Sequence, residues 1–428
     1  MSRFPHLIPR LALAALALNG AAAMAQSAYT LTVLGKPSGA YSFAPTVLDD
    51  QGVVRGGMYY RSGYKFVATY PYFGFLPAYL YQAVSWNGVT ATAAATLGGK
   101  YLFPRLTNNS GVQVGPFNKT SELGSLMQPE VFPSAAATFQ GANVYVYAPT
   151  VGSATMLRQG STDTDLSALL AKSLGTSNTS SFKSSFAAKG MNNTGAIAGF
   201  FSRPVSANGE VTFVKTPLVY RNGSYSTLDV GTYGNFNVLD INDAGTVVGQ
   251  VTRYREGSGY QSVPVLWVNQ QLAAVGDDSL VGHEPLSINN AGQVLMVGKS
   301  RPFGPGTPEE SLLQLRTNSL IWLNNTVTPL TSPNNEAVRA TAMNDQGTVV
   351  GCALRAFDLR TVDARPFLWK NGVMLDLVQE LKAKGVSLPA GTKLGCPTAI
   401  NNSGSILTYT YTNQMPSVIT WVRLNAKP

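Results

Sequence analysis

Histidine is nearly absent: the 428 residues hold two, and only His283 lies beyond the first 25. That scarcity leaves no Cys/His-rich metal cluster to read, and any nucleophile paired with a histidine would have to use this one residue. Cysteine is equally rare. Cys352 and Cys396 are the whole supply, an even pair compatible with one disulfide or with two separately buried thiols. Charged residues make up 12% of the chain, against the quarter usual for globular proteins, and Lys and Arg occur singly rather than in runs. With no nucleic-acid motif either, the composition argues against a nucleic-acid partner. No stretch after the leader approaches the roughly 18 apolar residues of a spanning helix, so no membrane anchor is read.

Arg3 and Arg10, the apolar run Leu11 to Leu18 and the small residues closing on Ala23-Met24-Ala25 have the form of a Sec signal peptide, residues 1–25. The expected product, residues 26–428, is then secreted or periplasmic, and loss of Arg3 and Arg10 lowers its formal charge from +9 to about +7.

What the chain has in abundance is Asn, Gly, Ser, Thr and Tyr, arranged in a repeat. One phrase, two Asn or Asp, any residue, then Gly and an apolar run, occurs seven times, beginning at Asp49, Asn108, Asn192, Asn242, Asn289, Asn344 and Asn401. In five copies a second Gly follows four residues after the first, as in Gly245 and Gly249. Asn and Asp tolerate tight turns, Gly supplies positive φ and β-branched residues open a return strand, so each phrase reads as a hairpin. A second phrase follows each turn: an apolar strand ending in an aromatic, commonly with Asn-Gly after it, as in Phe367-Leu368-Trp369-Lys370-Asn371-Gly372. All five tryptophans, Trp86, Trp267, Trp322, Trp369 and Trp421, fall in this phrase and read as one repeated core anchor. In the second repeat Val144-Tyr145-Val146-Tyr147 stands in for it.

Spacings between successive turns of 59, 84, 50, 47, 55 and 57 residues suit four-stranded propeller blades with variable loops. The reading is an all-β, single-domain β-propeller of seven four-stranded blades, with insertions near residues 57–82 and 152–185. Short helices are expected around Leu166–Leu170 and Val378–Lys384. Because the seventh repeat lacks a fourth strand while Tyr29 to Leu34 stands alone before the first turn, the leading strand is predicted to complete the last blade, which removes both sheet edges. Cys352 and Cys396 then fall on one rim of neighbouring blades.

A small residue before Ile-Asn-x-x-Gly-x-Val-Val-Gly, followed by Phe-Leu-Trp-x-Asn-Gly, resembles the bacterial HAF repeat family of probable extracellular proteins. The clearest copies are Ile241 to Gly249, Ala342 to Gly351, Phe367 to Gly372 and Ala399 to Gly404. The resemblance implies export and a repetitive β fold, and brings no catalytic or ligand-binding residues with it.

Chemistry is sparse. His283 and Glu284 fall short of the three or four ligands a zinc site needs, and no Gly-x-Ser-x-Gly elbow is present. Turn geometry accounts for the recurrent Asp50, Asp243 and Asp345 without catalysis. No catalytic residue, metal site or cofactor is therefore assigned. One segment stands apart: Tyr59 to Tyr81 holds ten aromatics with Arg61 and Lys65 and no acid. Aromatic faces beside cations bind sugars, peptides or headgroups, which makes Tyr59, Tyr60, Arg61, Tyr64, Tyr70 and Tyr72 the candidate ligand residues. The competing reading is long strands of the first blade with alternate rings packed inward. The function expected is an exported, non-catalytic binding or scaffolding propeller whose partner is a glycan or envelope component. The alternative is a carbohydrate-active hydrolase or lyase on the same scaffold.

Overall fold

The computed structural model describes residues 29–69, 72–94, 100–119, 138–139, 142–146, 155–175, 184–207, 210–233, 235–257, 259–298, 319–356, 362–412 and 419–426; the leader lies outside them. Seven sheets, each built on antiparallel pairing of successive strands, form a seven-bladed β-propeller. Blade 4 is the plainest, with strands Asn235–Ile241, Val247–Arg255, Gly259–Val268 and Gln271–Ala274 paired in order. In the other blades the same order recurs, with the first strand innermost and each Asn/Asp-x-Gly turn joining it to the second.

Both faces of every blade are covered by a neighbour, and this is why the return strands are apolar at successive positions. Val247 and Val248 are both fully buried, the first in a cluster shared with blade 3, the second in one shared with blade 5. The second glycine of the phrase has a separate cause. The inner strand is bulged between Val238 and Asp240, which presses the carbonyl of Asn237 to 2.2 Å from where a Cβ on Gly249 would stand. Gly351 meets Arg339 in the same way, also at 2.2 Å, so a side chain is excluded at these two sites, whereas blade 5, bulged between Pro285 and Ser287, carries Met296 at this position.

Closure follows the predicted route. Tyr29–Val33 pairs antiparallel with Ile419–Ala426, from Tyr29 opposite Ala426 to Val33 opposite Val422, and so supplies the fourth strand of blade 7. A disulfide joins Cys352, in the second strand of blade 6, to Cys396, which lies between the two halves of the first strand of blade 7. Among the described residues two α-helices follow the fourth strands of blades 2 and 6. Leu166–Ser173 is capped by Asp165, Leu377–Ala383 by Asp376, and their leucines fill the clefts between blades.

The strand assignment differs from expectation in two places. Val144–Val146 is not the third strand of blade 2; with Ala142 and Asn143 it forms an added strand pairing in parallel with Tyr64–Phe66 of blade 1. The third and fourth strands of blade 2 are Thr155–Gln159 and Thr162–Asp165, so residues 152–185 contain blade framework rather than an insertion. Here the anchor is charged: Arg158 occupies the tryptophan position and forks onto Asp163 at 2.8 and 3.0 Å, both side chains nearly buried. A search for aromatics passes over such a strand.

The tryptophans also do not all share one position. Trp86, Trp267, Trp322 and Trp369 each sit opposite the first residue of the second strand, namely Val54, Val247, Val294 and Val349. In blade 7 that place belongs to Leu424, opposite Ile406, and Tyr220 fills it in blade 3. Trp421 lies three residues earlier and meets the Tyr409 ring at 5.5 Å. No Asn-Gly turn follows this strand, because its partner arrives from the other end of the chain, so the sequence holds no marker for its register.

Candidate functional site

The turns do more than reverse the chain. Around the axis, the second residue of each turn donates its backbone N–H to the side-chain oxygen of its counterpart in the next blade. The circuit runs Asp50 to Asn109 (3.2 Å), Asn193 (3.0 Å), Asp243 (2.7 Å), Asn290 (2.8 Å), Asp345 (2.9 Å), Asn402 (2.8 Å) and back to Asp50 (2.8 Å). This collar is closed. The first residue of each turn builds a parallel relay, its side-chain amide donating to the next blade's first-residue carbonyl, from Asn108 through Asn192, Asn242, Asn289, Asn344 and Asn401 to Asp49. There it stops, because Asp49 has no amide to donate. Its carboxylate instead pairs with Arg55, whose guanidinium reaches beside Gly111 of blade 2.

The collar disposes of the recurrent carboxylates. Asp50, Asp243 and Asp345 are never adjacent, and Oδ2 of each accepts two neighbouring amides: Asn109 and Asn402, Asn193 and Asn290, Asn290 and Asn402 respectively. A ring of seven holds at most three such acids without placing two side by side, which would set like charges against each other. These groups are occupied as acceptors between blades.

A further carboxyl, that of Asp240, lies on the inner strand of blade 4. Asp240 accepts the N–H of its neighbour Ile241 at 2.9 Å and that of Ile288 in blade 5 at 3.1 Å. It keeps some accessible surface yet is enclosed by protein, and desolvation pushes its pKa up to about 6 against the lowering effect of those two amides. His283 and Glu284 are consecutive on the first strand of blade 5, so their side chains leave opposite faces of the strand. Among the described residues no group of three His, Cys, Asp or Glu is placed to hold a metal ion.

On the face opposite the collar the second and third strands are joined, and there blade 1 becomes a long hairpin. Val54–Thr69 pairs with Tyr72–Trp86, with Tyr59 opposite Tyr81, Tyr60 opposite Leu80, Arg61 opposite Tyr79, Tyr64 opposite Pro77 and Thr69 opposite Tyr72. The aromatic segment is thus a single ribbon rising from the ring. Tyr59, half-buried at its base, has its ring 6.3 Å from Phe103 of blade 2. The side chains of Tyr60, Arg61, Tyr64 and Tyr72, and the whole of Tyr70, lie outside the described residues.

Blade 4 repeats the aromatic and cationic character in a form the sequence did not flag. Near the tip of its hairpin Tyr254 and Tyr260 stand opposite each other, 68% and 78% exposed, with rings edge-on at 5.3 Å. Arg253 and Arg255 flank them in sequence and both bind Asp278, at 2.6 and 3.0 Å. Two solvated rings held in register by a sheet form a platform suited to a sugar or other flat apolar face.

No protein-family model matches the chain, and no curated protein matches its sequence. Among solved structures it is similar to the β-propeller domain of the Trilobed protease from Pyrococcus furiosus, described as having an open velcro topology, at 10% identity over 90% of this chain and 94% of that one, with a TM-score of 0.43. The Pyrococcus horikoshii acylaminoacyl peptidase is similar over 57% of this chain and 46% of that one, at 8% identity and a TM-score of 0.33. TolB from Acinetobacter baumannii is similar over 64% and 60%, at 11% identity and a TM-score of 0.30. The blade arrangement rests on this chain's own strand pairing, and no activity passes to it from these proteins.

Proposed function

We propose that this is an exported, non-catalytic binding propeller of the HAF repeat kind that holds a glycan or envelope component on its hairpin face. The observation that carries the reading is the Tyr254–Tyr260 pair, two rings left in solvent on a rigid strand pair, on the same side of the ring as the aromatic hairpin of blade 1. Single exposed rings need no explanation, but two brought together as one patch are the kind of surface that marks an interaction site. Engagement of Asp50, Asp243 and Asp345 in the collar supports a role other than acid–base catalysis, which needs a carboxyl free to exchange a proton. The leader-like N-terminus and the Cys352–Cys396 disulfide support an oxidising compartment outside the cytoplasm.

The test is a glycan array together with a pull-down from isolated cell envelopes, using the chain from Gln26 onward. Wild type is expected to retain at least one glycan or envelope fraction. Tyr254→Ala with Tyr260→Ala should weaken that binding about tenfold, equivalent to about 1.4 kcal/mol and within the range for lost aromatic stacking, while leaving thermal unfolding unchanged. Absence of any ligand, or equal binding by the variant, overturns the proposal. Release of reducing ends from the bound glycan would overturn its non-catalytic half.

A further inference from the structure

On the collar face, between blades 3 and 4, lies a cavity of about 420 Å³, within the size range of small-molecule sites. Its existence has a local cause. The residue after the turn glycine is Val53, Val112, Thr246, Gln293, Thr348 or Ser405 in the other blades, and in blade 3 it is Ala196, the smallest of the seven. Ala196 and Ile241 contribute an apolar floor, while Arg221, Tyr225, Asn269 and Gln270 contribute the rim.

The rim is both ordered and charged. Asn269 and Gln270 are held in the left-handed region, at φ 49° and 68°, and the Gln270 carbonyl accepts the Asp229 N–H at 3.1 Å, tying this turn to the chain entering blade 4. Arg221 donates through one nitrogen to Thr194 Oγ1 at 2.7 Å. Among the described residues no Asp or Glu lines the cavity; of the acids adjacent in sequence to its lining, Asp243 is taken by Asn193 and Asn290 of the collar, Asp240 by the N–H groups of Ile241 and Ile288, and Asp229 accepts the Gly231 N–H. A guanidinium fork with no counter-ion, amide groups beside it and an apolar floor match one chemistry: a hydroxylated ring or chain bearing a carboxylate.

We infer that this cavity is a second binding site, separate from the hairpin face, and that it takes a monosaccharide-sized polyol carboxylate such as a hexuronate. Arg221 binds the carboxylate, the amides of Asn269 and Gln270 bind hydroxyls, and Tyr225 with the floor packs against the carbon skeleton.

The experiment is a calorimetric or NMR titration of the chain from Gln26 onward with D-galacturonate, D-glucuronate and D-gluconate, with D-galactose as the neutral control. At least one acid is expected to saturate a single site, with galactose about tenfold weaker or worse, since one charge-assisted bidentate contact is lost. Arg221→Gln should weaken the acid about tenfold, and Arg221→Lys should recover part of that loss. Ala196→Val narrows the floor; because Ala196 is 1% exposed while Val53 and Val112 of blades 1 and 2 are half-buried, its thermal unfolding is compared with wild type, and it should bind the acid several-fold more weakly. Tyr254→Ala should have no effect, which separates this site from the proposed hairpin surface. No saturable binding by any acid at about 10 mM, equal binding of galactose, or unaltered affinity in both Arg221→Gln and Ala196→Val overturns the inference.

Discussion

The side-chain amide of Asn401 donates to the main-chain oxygen of Asp49 at 2.8 Å, although 352 residues separate the two. The contact joins blade 7 to blade 1 on the inside of the ring, while Tyr29–Val33 joins them from the outside. Arg423 adds a third tie, donating from the third strand of blade 7 to the Gly52 carbonyl. Two fasteners at different radii resist different openings: the strand resists peeling, the collar resists splaying.

Asn401 is 3% exposed, and its Oδ1 also accepts the Ser405 N–H at 2.8 Å. Asn401→Ala strands the buried Ser405 N–H, worth about 1–3 kcal/mol when unpaired, and leaves the Asp49 carbonyl with the Gly52 N–H as its remaining partner. A urea-unfolding series should place the variant about 1–3 kcal/mol below wild type, with the exposed Gln346→Ala within about 0.5 kcal/mol. Equal midpoints for all three proteins would remove the collar from the account of stability.

Blade 2 makes an opposite kind of prediction, because its anchor is an ion pair. Arg158→Ala leaves Asp163 nearly buried without its partner and should cost about 3–5 kcal/mol. The double substitution Arg158→Leu with Asp163→Leu removes both charges, and should recover most of that loss. A double-mutant cycle with no coupling between the two positions contradicts the pairing.

Asp240 sets a pH dependence whose sign follows from its raised pKa. The folded carboxyl keeps its proton up to about pH 6, whereas in the unfolded chain it ionises near the ordinary value of 3.8. Between those limits the native state binds more protons, so the stabilisation is complete below the lower value and is lost as the pH rises through the upper one. Subtracting the unfolding free energies of Asp240→Asn from those of wild type between pH 4 and 7 should give a curve that falls by roughly 1–3 kcal/mol. A flat or rising difference contradicts the assignment.

The disulfide spans 44 residues and pins blade 6 to blade 7. Replacing both cysteines with alanine should lower stability by about 2–4 kcal/mol through the larger entropy of the unfolded chain. Reducing agent should shift wild type to the same melting point while leaving the variant unmoved.

Much of the architecture was readable because it is local and repeated. Asn242, Gly245 and Val247 each answer to turn or strand chemistry within a few residues, and six further copies confirm the period. Closure by Tyr29–Val33 was readable for a different reason, since an unpaired strand and an incomplete blade imply each other. Three features were not. The charge at Arg158 replaced an expected ring, the register of Trp421 had no turn to mark it, and the second glycine answered to the close approach of another strand's carbonyl.

Site residues were harder still. Ten aromatics between Tyr59 and Tyr81 draw attention by density, whereas Tyr254 and Tyr260 are only two, and they come together because a hairpin folds one onto the other. Ala196 carries no signal alone. It stands out only when the blades are superposed and every counterpart is seen to be larger.

Because Tyr29 pairs with Ala426, the first of the described strands has no partner until the last of them has been made. A ribosome that stalls, or a protease that trims the tail, yields a product whose two ends have nothing to grip. Such a product leaves two sheet edges bare at the seam, each a template for pairing with another chain.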